Sequence, residues 1–151
     1  MQVDIAAPVE EVFEFVADYR NALDYMDHLH TFRPVTRHSH GLGAEVWAGG
    51  RLHGIPISTR LRVTAFEKNR RLVSVSSHGL RSTSTWSFEP NNGGTRVTFV
   101  AEYALPKVPL AGRLLSGRLD DAVRVGTRRT LENLKRVLEQ RRNDRPGPGD
   151  G

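Results

Sequence analysis

The chain has 151 residues, 38% of them hydrophobic, which suits one domain with a sizeable core and argues against a second. It has no cysteine, so disulfides, thiolate metal sites and cysteine nucleophiles are excluded, and no apolar run approaches the length of a membrane span. The net charge of +5 comes mainly from arginines scattered along the chain and flanked by acids, as in "RLDDAVR", a solvated face that argues against nucleic acid as a partner.

The opening "MQVDIAAPVEEVF" lacks the charged and apolar regions of a signal peptide, and a cytoplasmic location is expected. Residues 2–6 alternate weakly as a first strand. Pro8 suits a first helical turn, where its missing N–H costs nothing, and "VEEVFEFVADY" places Val9, Val12, Phe13 and Val16 on one helical face. "NALDYMDHL" reads as a second short helix, with Asn21 as N-cap and Leu23, Met26 and Leu29 inward.

From Thr31 the period changes to two. "HTFRPVTRHS" is a strand that Pro34 assigns to an edge or a bulge, and "GLG" turns the chain into "AEVWAGGRL", where the parity of Trp47 is ambiguous. The next strand puts Ile55, Ile57, Thr59, Leu61, Val63 and Ala65 on a buried face and Ser58, Arg60, Arg62 and Thr64 on a wet one. "RLVSVSS" follows, ambiguous between Leu72 and Val73/Val75 as the inward set. After Gly79, residues Leu80, Ser82, Ser84, Trp86 and Phe88 face one way. "NNGG" at 91–94 is a hairpin turn, because Asn and Gly tolerate the positive φ it requires. The last strand sends Val97, Phe99, Ala101, Tyr103 and Leu105 inward.

A helix of about thirty residues, roughly 45 Å long, ends the pattern. Leu115, Leu119, Ala122, Val123, Gly126, Thr130, Leu134, Val137 and Leu138 form its sheet-facing stripe. Residues 1–140 are read as one ligand-binding domain and 141–151, "RRNDRPGPGDG", as a disordered tail with nothing apolar to bury. A strand, two helices, a run of antiparallel strands and a long helix make the class α+β.

Inward positions of a packed core normally carry Leu, Ile, Val and Phe. Here Thr59, Ser82, Ser84, Ala101, Ala122, Gly126 and Thr130 are small or hydroxylated, which predicts a cavity. Ile57, Leu61, Val63, Trp86, Phe99, Leu119 and Val123 would form its apolar wall, and Thr59, Ser82, Ser84, Tyr103 and Thr130 would orient a ligand. The alternative is a tightly curled sheet whose small residues only let the helix approach.

The segments "IAAPVEEVFEFVADYRN", "RLRVTAFEKNRRLV", "STWSFEPNNGGTRVTF" and "LLSGRLDDAVRVGTRRTLENLKRVLE" resemble the START/Bet v1-like (SRPBCC) helix-grip superfamily, and within it the polyketide cyclase/dehydrase and lipid-transport group. The resemblance runs to about residue 140 and rests on fold-defining patterns. It implies a seven-stranded curved antiparallel sheet gripping the C-terminal helix, with a deep apolar pocket for lipids, sterols, polyketides or other hydrophobic molecules. Only some members are enzymes. Cyclase members use arginine and tyrosine to orient a poly-β-ketone chain. Tyr103 falls inward here, but Arg60 and Arg62 fall on the exposed face, a departure from that pattern.

Asp24, Asp27 and His28 have helical spacing for a metal, yet they read as a solvated helix end, and no metal is expected. His38 and His40 read as surface residues. His53 and His78 lie at turns that can reach a pocket mouth, and with Tyr103 they are the acid/base candidates of any enzyme reading. No Gly-x-Ser-x-Gly is present, and "GLG" and "AGG" lack a phosphate-binding strand-loop-helix context, so no cofactor is expected. The leading expectation is binding or transport of a hydrophobic small molecule by a monomer or homodimer. A polyketide cyclase or dehydratase is one alternative. The other is an RNA or protein interaction module using Arg60, Arg62, Arg81 and Arg96, on a face where the sequence offers no aromatic for base stacking.

Overall fold

The computed structural model describes residues 1–104 and 111–147, side chains excepted over 111–116. The elements are β1 (Gln2–Ile5), α1 (Val9–Ala17), a 3-10 turn (Tyr19–Asn21), α2 (Ala22–Tyr25), β2 (Leu29–Pro34), β3 (Glu45–Leu52), β4 (Ile55–Glu67), β5 (Arg71–Gly79), β6 (Arg81–Asn91), β7 (Gly94–Ala104) and α3 (Ala111–Asn143). One antiparallel seven-stranded sheet runs β1-β7-β6-β5-β4-β3-β2, curved around α3 in a helix-grip arrangement. Pro34 ends β2, the edge strand, where its missing donor breaks no ladder. Asn92 and Gly93, at φ 50° and 80°, make the turn between β6 and β7.

Register shifts at Leu29/Thr31, Arg60/Leu61 and Val63/Ala65 bend β2 and β4 and help the sheet curl. The main core gathers α1, the middle of the sheet and the C-terminal half of α3: Val12, Phe13, Trp86, Phe88, Val97, Leu134 and Leu138 are all buried. Phe13 meets Phe66 and Phe88 edge-on at 5.2 and 5.3 Å. A second, smaller cluster of Leu52, Ile57 and Ala122 lies toward the other end of the helix.

Several sequence expectations need correction. The second helix is one turn long. Leu23 is 45% exposed, Leu29 already belongs to β2, and Ala22 and Tyr25 are the buried residues. Asn21 holds the N-cap position of α2 without a side-chain cap bond: its Nδ2 donates to the Phe15 carbonyl. The side-chain cap belongs to the preceding 3-10 turn, where Asp18 takes the Arg20 N–H at 3.0 Å. Residues 141–143, read as tail, continue α3, with Arg142 within 3.3 Å of Glu11 and Arg141 over the Phe15 ring. Leu105, the Leu115 side chain and residues 148–151 lie outside the described residues. Among the described residues no helix is long and apolar enough to cross a membrane.

Candidate ligand cavity

Between the two clusters lies a cavity of about 100 Å³. Its floor is a row of small residues in register, Ser74 opposite Ser84 and Ser84 opposite Ala101. Trp86 and Phe99, stacked at 3.9 Å, close one end, and Tyr103 and Leu52 stand at the other. Gly126 and Thr130 of α3 form the roof. Small residues on three strands and the facing helix leave a volume that the flanking aromatics cannot enter.

Of the residues expected to line a cavity, Ile57, Thr59, Leu61, Ser82, Ser84, Trp86, Phe99, Tyr103, Val123, Gly126 and Thr130 do so. Val63 does not: it packs against the main core, beside the β4 irregularity. Leu119 is buried one turn before Val123, off the cavity wall. His53 is exposed at the β3–β4 turn, at φ 46°, and His78 is exposed in an outer groove that it shares with Ser82 and Tyr103. Neither histidine lines the cavity.

The histidine that does is His28. Once α2 stops at Tyr25, the chain turns under the sheet edge, where "AGG" is strand interior: Gly50 lets His28 lie against β3. A Cβ on Gly50 would sit 2.1 Å from the His28 carbonyl oxygen, which accepts the Arg51 N–H at 2.9 Å. We expect Gly50→Ala to push His28 off the wall and destabilise the fold by about 1–3 kcal/mol, seen as a lower denaturant midpoint in equilibrium unfolding.

Burial holds the His28 pKa below its ordinary value, with Asp27 opposing and Arg129 reinforcing the shift, so the ring is neutral at pH 7. Burial also raises the Tyr103 phenol, which stays protonated. The Thr59 hydroxyl, expected to orient a ligand, lies 3.0 Å from the Leu80 carbonyl and 3.2 Å from that of His78. Nδ1 of His28 and Oγ1 of Thr130 have no protein partner among the described residues. Asp27 pairs with Arg129, and no group of three His, Asp or Glu among the described residues converges as a metal site requires.

The outer face of the sheet also departs from expectation. Trp47 lies opposite Arg33 and Arg60, so the face carries an aromatic after all. Beside it Glu45 is 3% exposed, with Arg62 Nε donating to Oε1 at 2.7 Å and Arg60 reaching Oε2 at 2.5 Å. Hydrogen bonding from Arg62, then from Arg60, holds the Glu45 carboxyl below the usual carboxylate range. A depressed folded pKa stabilises above the unfolded value of about 4.3, and that contribution is lost as pH falls through the folded value. Glu45→Gln should therefore flatten the fall in Tm between about pH 5 and pH 2, checked by thermal melts across that range.

No curated protein sequence matches the chain. Among solved structures, it is similar to TTHA0849 from Thermus thermophilus, with 24% identity and a TM-score of 0.80 over 93% of this chain and 96% of that one. It is similar to the Zhui aromatase/cyclase from Streptomyces sp. R1128, with 15% identity and a TM-score of 0.82 over 99% and 96% of the two chains. Ara h 8.0201 shares 10% identity and a TM-score of 0.61 over 93% and 95%. At these identities the likeness shows the fold, the helix-grip architecture read from the strand and helix order. The sequence pattern itself goes further, matching one family model over residues 1–139, and the chain belongs to the polyketide cyclase / dehydrase and lipid transport family.

Proposed function

We propose that the protein binds a hydrophobic small molecule, lipid-like or polyketide-like in chemistry, between the sheet and α3, acting in the cytoplasm. The observation that carries this reading is the cavity itself: apolar walls from Leu52, Ile57, Leu61, Phe99 and Val123, with a few polar groups set among them. Apolar area would supply affinity at about 25 cal/mol per Å² before ordering costs.

The volume limits the occupant. An engineered apolar cavity of about 150 Å³ holds benzene. At about 100 Å³, this one accepts no more than a single small ring without rearrangement. A longer chain needs the wall to open, and the groove between β7 and α3 shares Phe99, Tyr103, Val123 and Thr127 with the cavity. That seam is the entry route we favour.

The test is mass spectrometry of the purified protein, first native and then denatured. A stoichiometric apolar molecule that leaves on unfolding supports the reading. A protein that is empty and also ignores added apolar ligands overturns it.

A second reading, a cyclase or dehydratase acting on a ketone-bearing chain, draws on Tyr103. Its ring lines both the cavity and the outer groove that holds His78, and its phenol is a protonated donor. Turnover of a model polyketone, lost in Tyr103→Phe, separates this from simple binding.

A further inference from the structure

The two unpartnered polar atoms of the wall specify the ligand further. His28 Nδ1 and Thr130 Oγ1 are both shut off from solvent, and Thr130 is 0% exposed. His28 sits on the segment entering β2 and Thr130 on α3. These two pieces of chain are tied together by the Asp27–Arg129 ion pair and by Asn133 Nδ2 donating to the Tyr25 carbonyl at 3.3 Å. Both residues line the same cavity. Buried polar groups are costly to leave unpaired, and a small turn of either side chain toward the cavity would let an occupant supply the missing partner.

We infer that the ligand carries one hydroxyl group on a small apolar frame, a phenol or compact alicyclic alcohol, with that hydroxyl held by His28 and Thr130. The inference rests on the cavity-binding reading above. A neutral imidazole protonated at Nε2 presents Nδ1 as an acceptor, and the Thr130 hydroxyl can donate. A ligand hydroxyl satisfies both, donating to Nδ1 and accepting from Oγ1. A carbonyl accepts from Thr130 but leaves that Nδ1 unpaired. A carboxylate or ammonium would bring a full charge into the apolar chamber, where only neutral groups meet it. The volume of about 100 Å³ keeps the frame near one ring.

The experiment compares p-cresol with toluene, the same frame with and without the hydroxyl, titrated into the full chain and four variants by NMR. Thr130→Val and His28→Leu should each weaken p-cresol by about fivefold, the equivalent of one hydrogen bond, and leave toluene as tight or tighter. Thr130→Ser, which keeps the hydroxyl, should retain the wild-type ratio, and Gly126→Leu should block both ligands. An equal p-cresol to toluene ratio in wild type, Thr130→Val and His28→Leu, with Gly126→Leu still blocking, overturns the inference and leaves the cavity reading standing. If wild type binds neither ligand, or Gly126→Leu blocks neither, the cavity reading fails and takes the inference with it. Thermal melts confirm that each variant is folded.

Discussion

Gly126→Leu abolishes ligand binding, by at least about 100-fold on our expectation, while the protein still folds. Gly126 faces the cavity from the middle of α3. A Cβ built there lies 2.9 Å from Leu52 Cδ2, the mobile end of a side chain, so the first added carbon is accommodated by a small shift of Leu52. The remaining carbons enter a space of only about 100 Å³. Overpacking costs about 1–3 kcal/mol, but replacing a mid-helix glycine returns about 0.8–1 kcal/mol of helix propensity, so the net loss of stability is modest. Calorimetric titration and a thermal melt on the same sample check both halves. Ser84→Phe approaches from the floor, where Ser74 and Ala101 flank it in register, and should block the same ligand. If both variants bind as wild type does, the ligand occupies another site, the groove along β7 and α3 being the first to examine.

What could be read from the sequence followed from periodicity. In β6 and β7 the inward residues Ser82, Ser84, Trp86 and Phe88, and Val97, Phe99, Ala101 and Tyr103, alternate without interruption, so strand parity gave the cavity floor directly. The α3 stripe was legible for the same reason, at its own period. The α2–β2 junction was not. A four-residue helix has no period to detect, and the approach of His28 to Gly50 joins a turn residue to a strand residue with no pattern linking them. Val63 faces inward as its parity requires but packs on the main core beyond the cavity, because parity fixes the face of a strand and not how far along it a cavity extends. Trp47 was ambiguous alone and becomes definite only in register with Arg60. Glu45 escaped notice because its burial comes from two arginines reaching across from β4.

Trp86→Ala should be the most destabilising of these changes, by about 3–5 kcal/mol. Trp86 is 4% exposed, stacked on Phe99 of β7 at an interplanar angle of 12° and edge-on to Tyr25 of α2 at 6.0 Å, so its removal takes contacts from two other elements at once. For a domain of this size the loss corresponds to a fall in Tm of roughly 6–20 °C. Trp86 also bounds the cavity, so the space it vacates joins the existing one. A two-ring aromatic too large for the wild-type cavity should therefore bind the variant and recover stability, by about 2.7 kcal/mol at 100 times its Kd. Recovery by that ligand in Trp86→Ala, absent in wild type, ties the destabilisation to the cavity wall. A loss below about 1 kcal/mol would mean instead that α3 settles into the gap, and the cavity would be no more rigid than the helix that roofs it.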